Sequence, residues 1–380
     1  MAFTEVFIPV LHGFILRSET PITNLLLIAT NTAFVFYYSP PLNGFFMKLS
    51  SVVNSALIRG AMITGRSLNK PTYICAKMTN SCNSRCVHCN IWKTNYETEE
   101  LSTEQWLQTI DSMRRWLGKF EIVFTGGEAL LRPDMIAILS HAVQLGIHVE
   151  LLSNGLIIDE VMAKAVIDTG IDQVTISFDG LSAPVYDRFR GREGFHEKVL
   201  AAILALNRLR RGAARPMRLL LKTVISANNL HEIVPIAEWV KQQGLEVQYQ
   251  PIEQNYGEEP DNGWYKVSPF WVKDFDLLEK SIEELRRLKA HGAPIANSDA
   301  DLLRYLRYFK EPEDLMGMIK GHNPKQYASC YTGVTNFVIS SNGDVQHCFM
   351  MKPIGNVAMK DPAKIWKERM QCWAGPCEYR

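Results

Sequence analysis

The chain has no hydrophobic run long enough to span a bilayer. Its most apolar stretch, residues 25–38, is about 14 residues long, short of the roughly 20 that a membrane-spanning helix needs. Thr30, Asn31 and Thr32 interrupt it, and Pro40-Pro41 stops any helix there. A cleaved signal peptide is not expected either, because the start lacks basic residues and acidic Glu5 comes early. Neither sign of charge is in excess: 41 Lys and Arg stand against 40 Asp and Glu, a net +1. That balance gives no global case for nucleic acid or another polyanion as partner. Eight cysteines in 380 residues are too few for a disulfide scaffold. Their clustering at short spacings points to metal binding in a reducing, cytoplasmic compartment. No internal repeat or low-complexity segment is present.

Charge is also scarce locally. Residues 1–58 carry only Glu5, Arg17, Glu19 and Lys48, and residues 20–47 carry none. Two readings follow for this N-terminal extension (residues 1–68). It is a set of apolar helices packed on the main domain or at a dimer interface, or an interfacial segment in peripheral contact with a membrane or walling a greasy substrate channel.

What is present fits a soluble α/β protein, with 47% hydrophobic and 21% charged residues. From residue 71 a strand–loop–helix pattern repeats. Strands are expected over 72–78, 120–125, 148–152, 173–178, 218–225 and 246–251. Helices are expected over 103–117, 133–145, 159–169, 195–210 and 231–243. Ser102 and Gln105 form a capping-box signature before the first of these helices, and Gly146 and Gly170 mark helix ends. Six near-continuous apolar strands separated by helices predict a parallel sheet, wound as a barrel or left open. In either form the polar and glycine-rich loops fall together at the C-terminal strand ends. Residues 69–255 are this domain. Residues 256–326 read as a helical connector with helices over 273–290 and 299–309. Residues 327–380 read as a small domain built on a hairpin: strand 336–340, a turn at Ser341-Asn342-Gly343-Asp344, and strand 345–349.

The first expected strand leads into Cys82-Asn83-Ser84-Arg85-Cys86-Val87-His88-Cys89. On a cubane cluster, three thiolates at CxxxCxxC spacing would leave one iron without a protein ligand and open to substrate or cofactor; a purely structural role for these cysteines is the plain alternative. Zinc would need a fourth local ligand, and His88 lies between two of the cysteines, poorly placed for it. Cys330, Cys348, Cys372 and Cys377 lie far downstream and suggest a second metal site, with zinc as the alternative to a cluster there. Cys75, in mid-strand, reads as a core cysteine. Tyr249, Gln250 and Glu253, at the end of the sixth strand, are weaker candidates to face a substrate.

CxxxCxxC after the first strand, Gly126-Gly127-Glu128 after the second, and six strand–helix repeats together resemble the radical S-adenosylmethionine (SAM) superfamily. The resemblance spans about residues 71–252. It implies a partial (β/α)6 TIM-like barrel and a 4Fe–4S cluster on Cys82, Cys86 and Cys89. It also implies SAM bound at the open iron and cleaved to a 5′-deoxyadenosyl radical, with electrons from a donor such as flavodoxin or ferredoxin. His88 then falls near the adenine, and the GGE motif falls at the SAM amino group. Ser153, Asn154, Ser177 and Asp179 match polar positions that hold the ribose or carboxylate. The family's fifth-strand GxIxGxxE pattern is absent from residues 219–226. Cys330, twelve residues, Gly343, four residues and Cys348 resemble the opening of the SPASM/Twitch extensions. With Cys372 and Cys377, four thiolates would suit a single, fully coordinated auxiliary 4Fe–4S cluster. The apolar N-terminus tips the expected substrate towards a lipid or isoprenoid-like small molecule. A ribosomal peptide is the rival within enzymes, and a non-catalytic iron–sulfur or zinc sensor or scaffold is the rival outside them.

Overall fold

The computed structural model describes residues 14–16, 27–29, 49–64, 68–93, 99–255, 261, 263–312, 332–348 and 352–369. The chain gathers into two compact units, Met1–Val52 and Val53–Arg380. In the first, β1 (Phe14–Leu16) pairs antiparallel with β2 (Leu27–Ala29), Phe14 opposite Ala29. The expected helical extension is therefore a short hairpin at these residues, built from β-favouring Phe and Ile. The rest of the apolar run at 25–38 lies outside the described residues. Helix α1 (Leu49–Thr64) follows. Among the described residues no helix is long and apolar enough to cross a membrane.

The second unit is built on one open sheet. Its central strands are β3 (Tyr73–Lys77), β4 (Glu121–Thr125), β5 (His148–Ser153), β6 (Gln173–Ser177), β7 (Arg218–Ile225) and β8 (Glu246–Pro251). These six pair in parallel in chain order. Helices α2 (Thr103–Leu117), α3 (Met135–Gln144), α4 (Glu160–Asp168), α5 (Ala183–Arg190), α6 (Phe195–Leu209) and α7 (Ile233–Gln243) make the connections. Local chemistry fixes their ends. Ser102 and Gln105 form the expected capping box on α2, and Asp159 caps α4 by accepting from the Met162 N–H. Helix α5 was not expected; its eight residues carry too short a pattern to read. Beyond β8 come α8 (Trp264–Val267), α9 (Phe275–Ala290) and α10 (Asp299–Lys310).

The tail does not stand apart from the sheet. After α11 (Thr332–Thr335), strand β9 (Asn336–Ile339) pairs in parallel with β3, Tyr73 opposite Asn336. β10 (Asp344–Gln346) and β11 (Gly355–Asn356) continue that edge antiparallel, and α12 (Pro362–Glu368) follows. The expected hairpin is thus present, and it extends the barrel sheet to nine strands.

The strands are two-faced rather than uniformly apolar. Ile74, Ala76, Ile122, Phe124, Val149, Leu151, Val174, Ile176, Leu219, Leu221 and Val247 all belong to the core under the helices. Apart from Ala76, such fully buried side chains each contribute about 1.5–3 kcal/mol. The alternate residues form the other, inner face. Cross-strand rows place Glu150 beside Gln173, Ser177 beside Lys222, and Lys222 beside Gln248.

Candidate active site

The cysteine loop leaves β3 at the C-terminal rim of the sheet, and three elements hold it. The first is the end of α5. The last carbonyls of a helix lack partners within it, and here the loop supplies them. Arg85 N donates to Arg190 O at 3.2 Å, Val87 N to Phe189 O at 3.1 Å, and Ser84 Oγ to Arg190 O at 3.2 Å. Gly191, with φ 76°, caps this helix. A Cβ there would meet Arg85 O at 2.1 Å, so only glycine lets the loop lie this close.

The second element is the loop after β4. Gly127 N donates to Thr79 O at 2.8 Å and Glu128 N to Ser81 O at 2.9 Å. Cβ atoms on Gly126 and Gly127 would meet Thr79 O at 2.4 Å and Ser81 O at 2.3 Å. The two glycines thus pack the β4 loop onto the approach to the cysteines. The Glu128 side chain turns inward and is 1% exposed. It accepts from Leu130 N at 3.2 Å, Ser153 Oγ at 3.0 Å and Asn154 N at 2.7 Å. Burial pushes its pKa up, against the pull of these donors.

The third element is Asn154, after β5. Its Nδ2 donates to Asn83 Oδ1 at 2.7 Å and lies 3.9 Å from Cys82 Sγ. Glu128, Ser153 and Asn154 therefore form one hydrogen-bonded unit that ends on the cysteine loop.

Within the loop, Ser84 Oγ lies 3.1 Å from Cys86 Sγ and Ser84 N lies 3.4 Å from Cys82 Sγ. Burial pushes Cys82 up to about 11 and raises Cys89 as well. The three thiols feel one another's charge. Among the described residues, however, no three His, Cys, Asp or Glu side chains converge tightly enough to hold a single metal ion. Three soft donors grouped without converging on one point fit a multinuclear cluster better than one zinc ion.

Arg190 supplies the positive charge beside the thiols, and reading the sequence did not reveal it. Its guanidinium is 6% exposed as a residue, ion-pairs with Asp179 and reaches Cys86 Sγ at 3.6 Å. Burial opposes its charge, but Asp179 and Cys86 more than restore it. Its Nε has no hydrogen-bond partner. Asp179 is 0% exposed and also accepts from Val224 N at 2.7 Å. Asn229, equally buried, donates to Asp179 O and Val224 O at 2.8 Å each. This asparagine organises the strand ends where the glycine-rich pattern was absent. Neither residue had a sequence signal, because Arg190 ends an unread helix and Asn229 lies in a loop.

His88 stacks on Phe189 with centroids 4.0 Å apart and planes 14° apart. Burial, then Arg190, pushes its pKa down to about 3, and its Nδ1 has no partner. Ser177 sits at the end of β6, beside Lys222 on β7. Tyr249 faces the helices, contrary to expectation: it is 0% exposed and its hydroxyl donates to Ile233 O at 2.7 Å. Gln250 lies on the opposite, inner face, and Glu253 is exposed beyond β8. Lys77, on the inner face next to Cys75, is 5% exposed, and burial lowers it to about 8. Cys75 therefore lines the inner face and not the apolar core under the helices. Cys348 follows β10, half-buried, whereas Cys330, Cys372 and Cys377 lie outside the described residues.

An open parallel α/β sheet that presents three thiols, an organised glycine–glutamate loop and a buried cation at one rim defines a class of iron–sulfur enzyme. Residues 76–240 match the family described as the radical SAM superfamily, so the chain carries a radical SAM domain and is an enzyme. The chain is 29% identical over 334 residues to the AdoMet-dependent heme synthase of Methanosarcina barkeri, covering 82% of this chain and 90% of that protein. It is 28% identical over 169 residues to the PqqA peptide cyclase of Rhodopseudomonas palustris, covering 44% of this chain and 43% of the cyclase. Among solved structures, Streptococcus suis SuiB bound to S-adenosylmethionine has the same fold. Its TM-score is 0.61 at 15% identity, over 82% of this chain and 69% of that one. The cofactors of the class are a 4Fe–4S cluster and SAM.

Proposed function

We propose that the enzyme abstracts hydrogen from a peptide, as a maturase of ribosomally made peptides. The observation that carries this reading is the inner face of the sheet. Lys77, Glu150, Gln173, Thr175, Lys222, Gln248 and Gln250 sit there in register below the cysteine rim and outnumber the apolar Val123, Leu152 and Leu220 on that face. Gln173 Nε2 and Thr175 Oγ1 donate to Glu150 Oε1 at 2.8 and 2.7 Å. A site for a lipid or isoprenoid would need predominantly apolar walls, whereas amide and charged side chains suit backbone N–H and C=O groups. The similarity to a PqqA peptide cyclase, and the fold shared with SuiB, support the same reading. The lipid alternative rests only on the sparse charge of residues 1–58, as does any peripheral membrane contact.

Cys82, Cys86 and Cys89 would hold the cluster, with Arg190 offsetting thiolate charge at Cys86. When bound, cluster and SAM supply reductive cleavage to a 5′-deoxyadenosyl radical. Asn154 and the α5 carbonyls keep the loop in place, while Glu128 fixes Asn154. His88 and Ser177 remain the candidates for adenine and ribose contact. Asp179 would serve the site through Arg190. Cys330, Cys348, Cys372 and Cys377 would ligate an auxiliary cluster, and flavodoxin or ferredoxin would deliver electrons.

A second reading is modification of an iron tetrapyrrole, favoured by the heme synthase similarity, which runs along most of both chains. Lys77 and Lys222 would then meet carboxylates. Anaerobically reconstituted protein with SAM and dithionite is expected to form 5′-deoxyadenosine. Deuterium should pass into that product from perdeuterated peptide pools. Transfer from a deuterated iron porphyrin, or from deuterated isoprenoids, with none from peptides would overturn the maturase reading.

A further inference from the structure

The hairpin turn of the tail touches the approach to the cysteine loop. Ser341, 1% exposed, opens the turn between β9 and β10. Its Oγ accepts from Asn80 Nδ2 at 3.0 Å, and its carbonyl accepts from Leu101 N at 2.7 Å. Asn80 stands two residues before Cys82. Glu100 Oε1 holds the same segment, accepting from Thr79 Oγ1 at 2.7 Å and Asn80 N at 3.1 Å. Arg132 donates to Met78 O and Leu101 O at 3.2 Å each, and to Glu100 Oε2 at 3.4 Å. A Cβ on Gly343 would meet Leu101 Cδ2 at 3.0 Å, so the turn is packed tightly on that residue.

Residues 79–81 thus lie between two supports. On one side the β4 loop receives them through Gly127 and Glu128. On the other, Glu100 and Ser341 receive them. The first support belongs to the radical SAM domain, and Ser341 comes from the tail, 261 residues along the chain from Asn80.

We propose that Ser341 is a positioning residue for the SAM-cleaving site. Acting through Asn80, it sets the path of residues 79–82 and so the placement of Cys82. It touches neither thiol nor cofactor, and its effect is on where the loop sits. Losing one neutral hydrogen bond of this kind shifts an equilibrium about two- to tenfold, so SAM binding should weaken by that factor.

The test compares Ser341→Ala, Asn80→Ala, the double variant and Ser341→Thr in the full-length protein. Hydrogen–deuterium exchange on the cluster-free protein reads the loop directly, and EPR of the reduced, reconstituted protein with and without SAM reads the cluster. Ser341→Ala should speed exchange of residues 79–89 several-fold and raise KM for SAM two- to tenfold, with kcat for SAM cleavage changed much less. Asn80→Ala should do the same, the double variant should do no more than either single one, and Ser341→Thr should restore wild-type values. The proposal is overturned if Ser341→Ala lowers the melting temperature while exchange of 79–89, KM for SAM and the SAM-induced EPR change stay as in wild type. It is equally overturned if the two single effects simply add.

Discussion

Replacing Gly191 with alanine tests how the cysteine loop is held. The glycine has φ 76° and ψ 19° at the end of α5, and a Cβ would meet Arg85 O at 2.1 Å. The left-handed conformation alone costs a non-glycine residue about 1 kcal/mol. The contact adds overpacking of about 1–3 kcal/mol, because the obstacle is backbone that must move bodily by over about 1 Å. Gly244, at the end of α7, isolates the second term. It has φ 65° and ψ 37°, and an added Cβ meets nothing within 4 Å. Gly244→Ala should therefore lower stability by about 1 kcal/mol and leave the site alone. Gly191→Ala should lower it by about 2–4 kcal/mol and displace Arg85 between Cys82 and Cys86. Urea unfolding of the cluster-free protein measures the first difference. Iron and sulfide counts, with EPR after adding SAM, measure the second. If the two variants match in urea midpoint, and Gly191→Ala keeps a full cluster with its SAM response, the packing argument is wrong.

Arg190→Gln should destabilise the protein by about 3–5 kcal/mol, since it strands the Asp179 carboxylate; Asp179→Asn combined with it should recover part of that loss, as a double-mutant cycle on unfolding would read. Glu128→Gln keeps one acceptor oxygen where three donors converge, so about 1–3 kcal/mol should be lost, with a weaker SAM response in EPR. Burial lowers Lys77 from its ordinary 10.5 to about 8 in the fold. The unfolded chain binds its proton more tightly, so this group penalises the fold by about 3 kcal/mol below pH 8. The penalty fades as pH rises towards 10.5. Lys77→Met should thus stabilise the cluster-free protein at pH 7 and lose that advantage by pH 10; a pH-independent difference would refute this. Cys82→Ala should abolish 5′-deoxyadenosine formation, whereas Cys348→Ala should lower iron content and spare the SAM-responsive signal.

Much of this architecture is readable from local chemistry. The capping box at Ser102, the glycine helix ends and the runs over 218–225 and 246–251 place six strands and most helices within a residue or two. The three cysteines and the glycine–glutamate loop share a rim because parallel strands send all their following loops to one end. What escaped the sequence depends on long-range packing. Residues 73–77 read as one apolar run, yet Cys75 and Lys77 face inward, which only strand register decides. Helix α5 is too short to show a period, and with it Arg190 and Gly191 went unseen. The pairing of β9 with β3 joins residues over 260 positions apart, and no local pattern encodes such a partner.

That pairing has a consequence for biosynthesis. Strand β3 delivers the cysteine loop, yet one of its two neighbours, β9, is made more than 260 residues later. Until residues 336–339 leave the ribosome, β3 is an uncovered sheet edge, with unpaired backbone groups open to wrong partners. Asn69 lacks two of its partners as well, since its Nδ2 donates to Val334 O at 2.5 Å and its carbonyl accepts from Trp366 Nε1 at 2.5 Å. The strand carrying the cysteines therefore gains its full set of neighbours only after residues 336–339 and Trp366 have been made.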